Sequence, residues 1–253
     1  MKPADPVLLF HARRKIEAEL GRLLASNISA VLARHSVPLA ASHEKTDSDM
    51  RKTAGGRALL NRLLSLSVAA GDLGAIEFSE AQVRDQNMTL SQGAITVLNH
   101  CDHSARIRAL QYFHDRWQEN PLVLEKWFMM ESTSVVSGTI TRLKSLMSHL
   151  AFDENNPNKL RSVLGAFMAG NPVHFYAEDG SGFAFIGECL VDIDARNPQL
   201  AARMALPLTR VTQYAPPRRD QMIAILQKVQ HEAQSNDLRE VVDKALADAS
   251  TNG

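Results

Sequence analysis

The chain has 253 residues, 45% hydrophobic and 22% charged, which is enough apolar material for a substantial buried core. Its 28 basic and 28 acidic residues cancel, which excludes a global basic field for nucleic acid or an acidic membrane surface. Two cysteines, Cys101 and Cys189, are too few for a disulfide framework. No apolar run approaches the roughly eighteen residues of a membrane span. We therefore expect a folded cytoplasmic protein that binds neither nucleic acid nor membrane.

Apolar residues spaced three and four apart predict the first helix, because this spacing gathers them on one face: Ile16, Leu20, Leu23, Leu24, Ile28 and Val31. Residues 36–50 lose the pattern and collect Ser, His, Thr and Asp, so we expect a connection there. The pattern returns between Leu59 and Leu66. Two later stripes predict further helices: Ile140, Leu143, Met147 and Leu150, then Met222, Leu226 and Val229.

Four Asn-Pro pairs each precede an apolar-periodic stretch and predict helix starts. Asparagine can cap the free amide donors of a first helical turn, and proline at the next position loses no helical hydrogen bond. The pairs are Asn120-Pro121, Asn156-Pro157, Asn171-Pro172 and Asn197-Pro198.

These elements predict an all-α fold, because alternating apolar and polar runs typical of strands are few. Helices joined by short connections favour a right-handed superhelix, a solenoid of stacked antiparallel helix pairs of ARM or HEAT type. No strict repeat is readable, which favours degenerate hairpins over a consensus array. We expect residues 1–253 to form a single domain, with an uncertain boundary within residues 1–50.

The sequence predicts no metal site and no catalytic residue. A zincin needs His-Glu-x-x-His on a helix, and neither His43-Glu44 nor His231-Glu232 has the second histidine. The consecutive residues of His100-Cys-Asp-His103 would point around a helix rather than toward one ion. The glycine-rich stretch Tyr176–Phe183 carries two acidic residues that would repel a phosphate, so we interpret it as a tight connection between helices.

The segment around the two tryptophans resembles the C-terminal region of bacterial aminopeptidase N, a zinc-dependent M1 peptidase family. The resemblance begins with Asp115-Arg-Trp117 and Leu124-Glu-Lys-Trp-Phe128. Downstream motifs follow in family order: Asn156-Pro-Asn-Lys-Leu-Arg-Ser162, Gly165-Ala-Phe167, Asn171-Pro172, Phe175, Ala177-Glu-Asp-Gly-Ser-Gly-Phe183 and Arg196-Asn-Pro-Gln-Leu-Ala-Ala-Arg203. Upstream, Arg57-Ala-Leu-Leu-Asn-Arg62 and Asn87-Met-Thr89 also match, so the similarity runs from about residue 50 to the end.

The resemblance implies a helical domain that caps the thermolysin-like catalytic domain of a four-domain enzyme and encloses its substrate cavity. Zinc and the catalytic glutamate would then belong to domains absent from this chain. The implied partners are the catalytic and N-terminal domains of the parent enzyme, together with peptide substrates that lose their N-terminal residues. Arg161, Gln199 and Arg203 match positions that line the family's cavity, where a guanidinium can pair two-pronged with a carboxylate.

Two alternatives stay open. The chain could be a free-standing helical-repeat module that binds a peptide or protein on its concave face. It could also be an independent hydrolase with Cys101 or Cys189 as nucleophile, although a nearby base would be required.

Overall fold

The computed structural model describes residues 5–35 and 53–251, and within these ranges all regular secondary structure is helical. The predicted all-α class is confirmed. The connection expected at residues 36–50, with the His43-Glu44 pair, lies outside the described residues. No helix in the described ranges combines the length and apolar character needed to cross a bilayer.

Fifteen α-helices lie in the described ranges: α1 (Pro6–Leu23), α2 (Ala25–His35), α3 (Ala54–Ala69), α4 (Leu73–Gln82), α5 (Met88–Leu98), α6 (Ser104–Trp117), α7 (Pro121–Thr133), α8 (Thr139–Met147), α9 (Pro157–Leu160), α10 (Ala166–Gly170), α11 (Pro172–Phe175), α12 (Ser181–Asp194), α13 (Pro198–Ala205), α14 (Arg218–Glu232) and α15 (Asn236–Thr251). A π-helical turn, Arg161–Gly165, joins α9 to α10, and a 3-10 turn, Val211–Gln213, precedes α14.

All four Asn-Pro pairs begin helices as predicted, at α7, α9, α11 and α13. The side-chain oxygens of Asn120, Asn171 and Asn197 accept from the amide three residues on, at 3.3, 3.2 and 3.1 Å. That of Asn156 accepts from the Asn158 amide at 2.9 Å. These caps use only local chain geometry, which is why the sequence alone predicts them.

The chain divides into two compact units, which we name the N-unit (His11–Met130) and the C-unit (Glu131–Gly253 with Met1–Phe10). The single-domain expectation stays a prediction. In the N-unit, α3, α4, α5 and α6 pack on one another. Their core includes the fully buried side chains of Leu64, Ile95 and Phe113. The two tryptophans of the predicted apolar segment are partly buried against this core.

The C-unit is built on α12, which packs against α13 and α14, while α15 packs against the same two helices. The ring of Phe175 makes edge-to-face contacts with two other rings. Its centroid lies 5.8 Å from that of Phe167 and 5.2 Å from that of Phe183. The predicted connection before α12 is confirmed: Gly180 has φ of 71°, a conformation that glycine adopts without strain. The stripe predicted on α14 is also confirmed, since Met222, Leu226 and Val229 are all buried.

The first predicted helix is wrong in its extent and in the face that it buries. The structure divides it into α1 and α2. On α2, Ile28 is buried as expected, but on α1 the side chains of Leu20 and Leu23 are 40% and 71% exposed. The face of α1 that is buried carries Glu17, Ala18 and Gly21 instead.

Candidate functional site

A cavity of about 500 Å³ lies within the C-unit, between the π-helical turn, α10, α13 and the chain that follows α13. Its apolar part is formed by Met168, Leu200 and Met204, all of which are buried. Its polar part is formed by Tyr176 and three arginines: Arg161, Arg203 and Arg210. Two of the three predicted site residues therefore meet on one cavity.

The position of Arg161 follows from the π-helical turn that it begins. Such a turn inserts one extra residue into a helix and changes the direction of the side chains around it, and π turns recur at functional sites for that reason. The turn buries Ser162, Val163 and Leu164 and leaves Arg161 exposed. The Nη1 of Arg161 donates to Asn158 Oδ1 at 3.3 Å, which holds the guanidinium near the cavity.

Arg203 is positioned by the amphipathic pattern of α13. This helix buries Leu200, Ala201, Met204 and Ala205 and leaves Arg203 exposed in its last turn. Gln199 is also exposed, one helical turn before Arg203 on the same side of α13. Gln199 is not among the residues that line this cavity, so its role stays a prediction.

Arg210 and Tyr176 also line the cavity and were not predicted as members of the site. Tyr176 lies in the stretch that we interpreted only as a connection, and its hydroxyl is 2.8 Å from that of Tyr214. Burial raises the pKa of Tyr176 well above its usual value, and the hydrogen bond with Tyr214 acts in the same direction. The phenol therefore stays neutral. No local pattern marks Arg210, which lines the cavity from the chain between α13 and the 3-10 turn.

The arrangement is suited to binding an anion. No acidic side chain is among the cavity-lining residues of the described chain, so the guanidiniums face the cavity without a competing carboxylate. An arginine can grip a ligand carboxylate with two parallel hydrogen bonds. The buried methionine and leucine side chains offer an adjoining apolar surface for the aliphatic part of the same ligand.

The described residues were also compared with the ligand sets that hold a metal ion. In residues 5–35 and 53–251 no three His, Cys, Asp or Glu side chains come together as a metal site. The side chains of these residues therefore do not form a zinc site. Neither His100-Cys-Asp-His103 nor His231-Glu232 provides one.

The two thiols do not have the character of nucleophiles. Burial raises the pKa of Cys189 to about 12, and the charges of Asp192 and Glu188 act in the same direction. Burial also raises the pKa of the half-buried Cys101. Both thiols are therefore held in the protonated form, whereas the thiolate is the reactive form. This disfavours the cysteine-hydrolase alternative.

Fold and site together define a helical-repeat domain with a cationic cavity. Residues 1–247 match a family model described as "Domain of unknown function (DUF3458_C) ARM repeats". The chain belongs to this family, and the predicted ARM-type architecture is confirmed.

Comparison with known proteins confirms the resemblance to the C-terminal region of aminopeptidase N. The chain is 34% identical over 246 residues to aminopeptidase N of Escherichia coli strain K12, covering 96% of this chain and 27% of that protein. It is 32% identical over 253 residues to aminopeptidase N of Caulobacter vibrioides, covering 96% and 28% respectively.

A solved structure gives the same correspondence. The crystal structure of Legionella pneumophila aminopeptidase A in complex with aspartic acid superposes with a TM-score of 0.83 at 27% identity. The match covers 95% of this chain and 28% of the other. The chain thus spans little more than a quarter of the length of the relatives that it matches.

Proposed function

We propose that this chain is the helical cap of an M1-type zinc aminopeptidase, which removes N-terminal residues from peptides. The cap shapes and encloses the substrate cavity and performs no chemistry itself. The observation that carries this proposal is the meeting of Arg161 and Arg203 on one cavity, since the family resemblance names both positions as cavity-lining. The similarity to aminopeptidase N over nearly the whole chain supports it.

Within this role, we propose that the arginines bind carboxylates of peptide substrates, at the C-terminus or on acidic side chains. The charge of the cavity supports this assignment, because three guanidiniums line it. The Legionella relative, described in complex with aspartic acid, is an aminopeptidase with a carboxylate-bearing ligand. Gln199 would add a neutral hydrogen-bonding group on the same side of α13 as Arg203.

The partners of the cap are the catalytic and N-terminal domains of the parent enzyme, and zinc belongs to the catalytic domain. The relatives are more than three times as long as the matched segment, which supports this division of labour. We place the parent in the cytoplasm, a reducing compartment, which is consistent with two free cysteines.

The test replaces both cavity arginines in the parent enzyme. The R161A/R203A double variant is expected to raise the KM for peptides with a free C-terminal carboxylate by at least about tenfold, since one hydrogen bond to a charged group contributes about 1.5–3 kcal/mol and about 1.4 kcal/mol corresponds to tenfold. The KM for the same peptides with an amidated C-terminus should change little. The matched control is Arg219→Ala on α14, whose guanidinium lies 3.6 Å from Asp220 and is not among the cavity-lining residues.

Two results would contradict the proposal. One is an equal rise in KM for acid and amide peptides in R161A/R203A, and the other is an equal effect in the Arg219→Ala control. If instead the isolated chain bound acid peptides as tightly as the parent does, the free-standing binding module would be the better description.

A further inference from the structure

The side chain of Tyr176 forms part of the cavity wall in a fixed orientation. Its ring packs edge-on against Phe175 and Phe183, whose centroids are 4.7 and 5.7 Å away. It also packs against the tilted ring of Tyr214, whose centroid is 5.1 Å away. Both phenylalanines are completely buried, so they cannot move aside without opening the core. The direction in which the Tyr176 hydroxyl points is therefore set by the fold.

The backbone of Tyr176 is held as well. Its amide donates to the Pro172 carbonyl at 3.2 Å, and its carbonyl accepts from Arg218 Nε at 3.1 Å. Arg218 Nη1 in turn donates to Asp5 Oδ2 at 2.6 Å, and all of these residues belong to the C-unit. A side chain that is fixed at both ring and backbone loses little conformational entropy when it binds a ligand. Tyr176 is thus preorganised for a polar contact at its hydroxyl.

The hydroxyl of Tyr176 connects a second phenol to the cationic cavity. It lies 2.8 Å from the hydroxyl of Tyr214. Burial and this hydrogen bond raise the pKa of Tyr176, whereas the positive charge of Arg210 acts in the opposite direction, so that guanidinium lies within electrostatic reach of the hydroxyl. Tyr176 and Arg210 both line the cavity, and Tyr214 is not among its lining residues in the described chain. Tyr214 therefore acts on a ligand in the cavity through Tyr176.

An anion in the cavity can use the two phenols in only one hydrogen-bond direction. Each phenol carries a single hydrogen and can also accept. If Tyr176 donates to Tyr214, the Tyr176 hydrogen is used up. If Tyr214 donates to Tyr176, the Tyr176 hydrogen is available to an acceptor in the cavity, and each of the two hydrogen bonds polarises and strengthens the other. A carboxylate beside the guanidiniums favours this second direction.

We propose that Tyr176 is a further binding residue of the cavity, whose hydroxyl donates to the peptide carboxylate that the arginines hold, and that Tyr214 is a positioning residue that donates to Tyr176. The inference rests on the proposed function, in which the cavity binds peptide carboxylates, and adds an uncharged donor to the guanidiniums. A carboxylate offers about four lone-pair sites, so it can accept from a phenol as well as from a two-pronged arginine. The competing explanation is purely structural: the hydroxyls only fasten the chain before α12 to the chain before α14.

The test uses Tyr→Phe variants of the parent enzyme, because phenylalanine keeps the ring and removes the hydroxyl. The chain has three tyrosines, and Tyr112→Phe in α6 is the matched control outside the cavity. The KM and kcat are measured for alanine tetrapeptides with a free and with an amidated C-terminus. We expect Tyr176→Phe to raise the KM of the free acid about tenfold, which corresponds to ~1.4 kcal/mol of lost binding. The kcat, and the KM of the amide, should change by less than about twofold, since only a binding contact is lost.

Tyr214→Phe and the double variant Y176F/Y214F separate the two roles. Tyr214→Phe should raise the KM of the free acid about threefold, because the contact of Tyr176 persists but loses its orientation and polarisation. Since Tyr214 acts through Tyr176, the double variant should match Tyr176→Phe within about twofold. If Tyr176→Phe does not fold, the acid-selective rise in Tyr214→Phe decides the inference.

Three results would overturn the inference. The first is a KM of the free acid in Tyr176→Phe that equals the value in Tyr112→Phe. The second is an equal rise for acid and amide peptides, which would assign the phenols a structural role alone. The third is an effect of Tyr214→Phe that persists in full in the double variant. An acid-selective rise in R161A/R203A without one in Tyr176→Phe rejects this inference alone, whereas no acid-selective rise in R161A/R203A rejects the proposed function.

Discussion

At the scale of single residues, the imidazole of His100 makes the stability of the chain sensitive to mild acid. Burial lowers its pKa from 6.5 to about 4, and the charges of Arg14 and Arg106 act in the same direction, while Glu17 opposes them. Between these two pH values the unfolded chain binds a proton that the folded chain does not. The free energy of unfolding therefore falls as the pH drops from 6.5 toward 4, with a slope approaching ~1.4 kcal/mol per pH unit.

Urea denaturation at pH 7, 6, 5 and 4.5 measures this slope. The variant His100→Gln should show a flatter dependence on pH, because the group that the unfolded chain protonates is gone. Acidic residues also titrate near the lower end of the range, so the control is His231→Gln on the exposed side of α14. The assignment is wrong if both variants keep the wild-type slope.

At the scale of elements, the asparagines of the Asn-Pro helix starts differ in whether they hydrogen-bond beyond their own helix. Asn171 is fully buried. Besides capping α11, its Nδ2 donates to the carbonyls of Ser132 and Ser134 at 3.2 and 2.7 Å. Asn156 is partly exposed and caps only its own helix. The same motif thus serves a purely local role at one site and a tertiary role at the other.

The variant Asn171→Ala should lower the free energy of unfolding by about 2–4 kcal/mol, since it removes a helix cap and two buried hydrogen bonds to backbone carbonyls. Asn156→Ala should cost about 1 kcal/mol, the usual value of a cap alone. Denaturant melts of the two variants make the comparison. Equal losses would mean that the tertiary hydrogen bonds of Asn171 contribute nothing.

The same contrast explains what the sequence could and could not predict. Helix starts, the buried stripe of α14 and the turn at Gly180 depend on neighbours in the chain, and all were predicted correctly. The buried side of α1 was not, because it depends on the approach of Gly21 to the backbone at Leu66. A glycine between Leu20 and Arg22 gives no local sign that the helix will dock on its small side.

The candidate site shows the same limit. Arg161 and Arg203 were identified by family resemblance, and no spacing rule relates them. Arg210 was missed because it reaches the cavity only through the path of the chain after α13. Tyr176 was missed because its pairing with Tyr214 joins two segments that are distant in sequence. Recognition sites assembled from several elements carry little local signal.

At the scale of the whole molecule, the proposed function assigns binding and chemistry to different parts of the parent. The described residues bring three arginines to one cavity and bring no three metal ligands together. A zinc ion beside those guanidiniums would be repelled by them, since like charges without an intervening carboxylate destabilise one another. Separating the cationic surface from the metal is therefore electrostatically reasonable, provided that the substrate spans both.

The isolated chain should accordingly hydrolyse no aminoacyl-chromogenic substrate, with or without added zinc, under conditions in which the parent enzyme is active. Equilibrium dialysis should find less than one zinc ion per chain. Because His43 and Glu44 lie outside the described residues, His43→Ala is measured in parallel to detect a weak site in that segment. Turnover that a chelator removes and that survives in His43→Ala would place a reactive metal within the described helices and contradict the division between cap and catalytic centre.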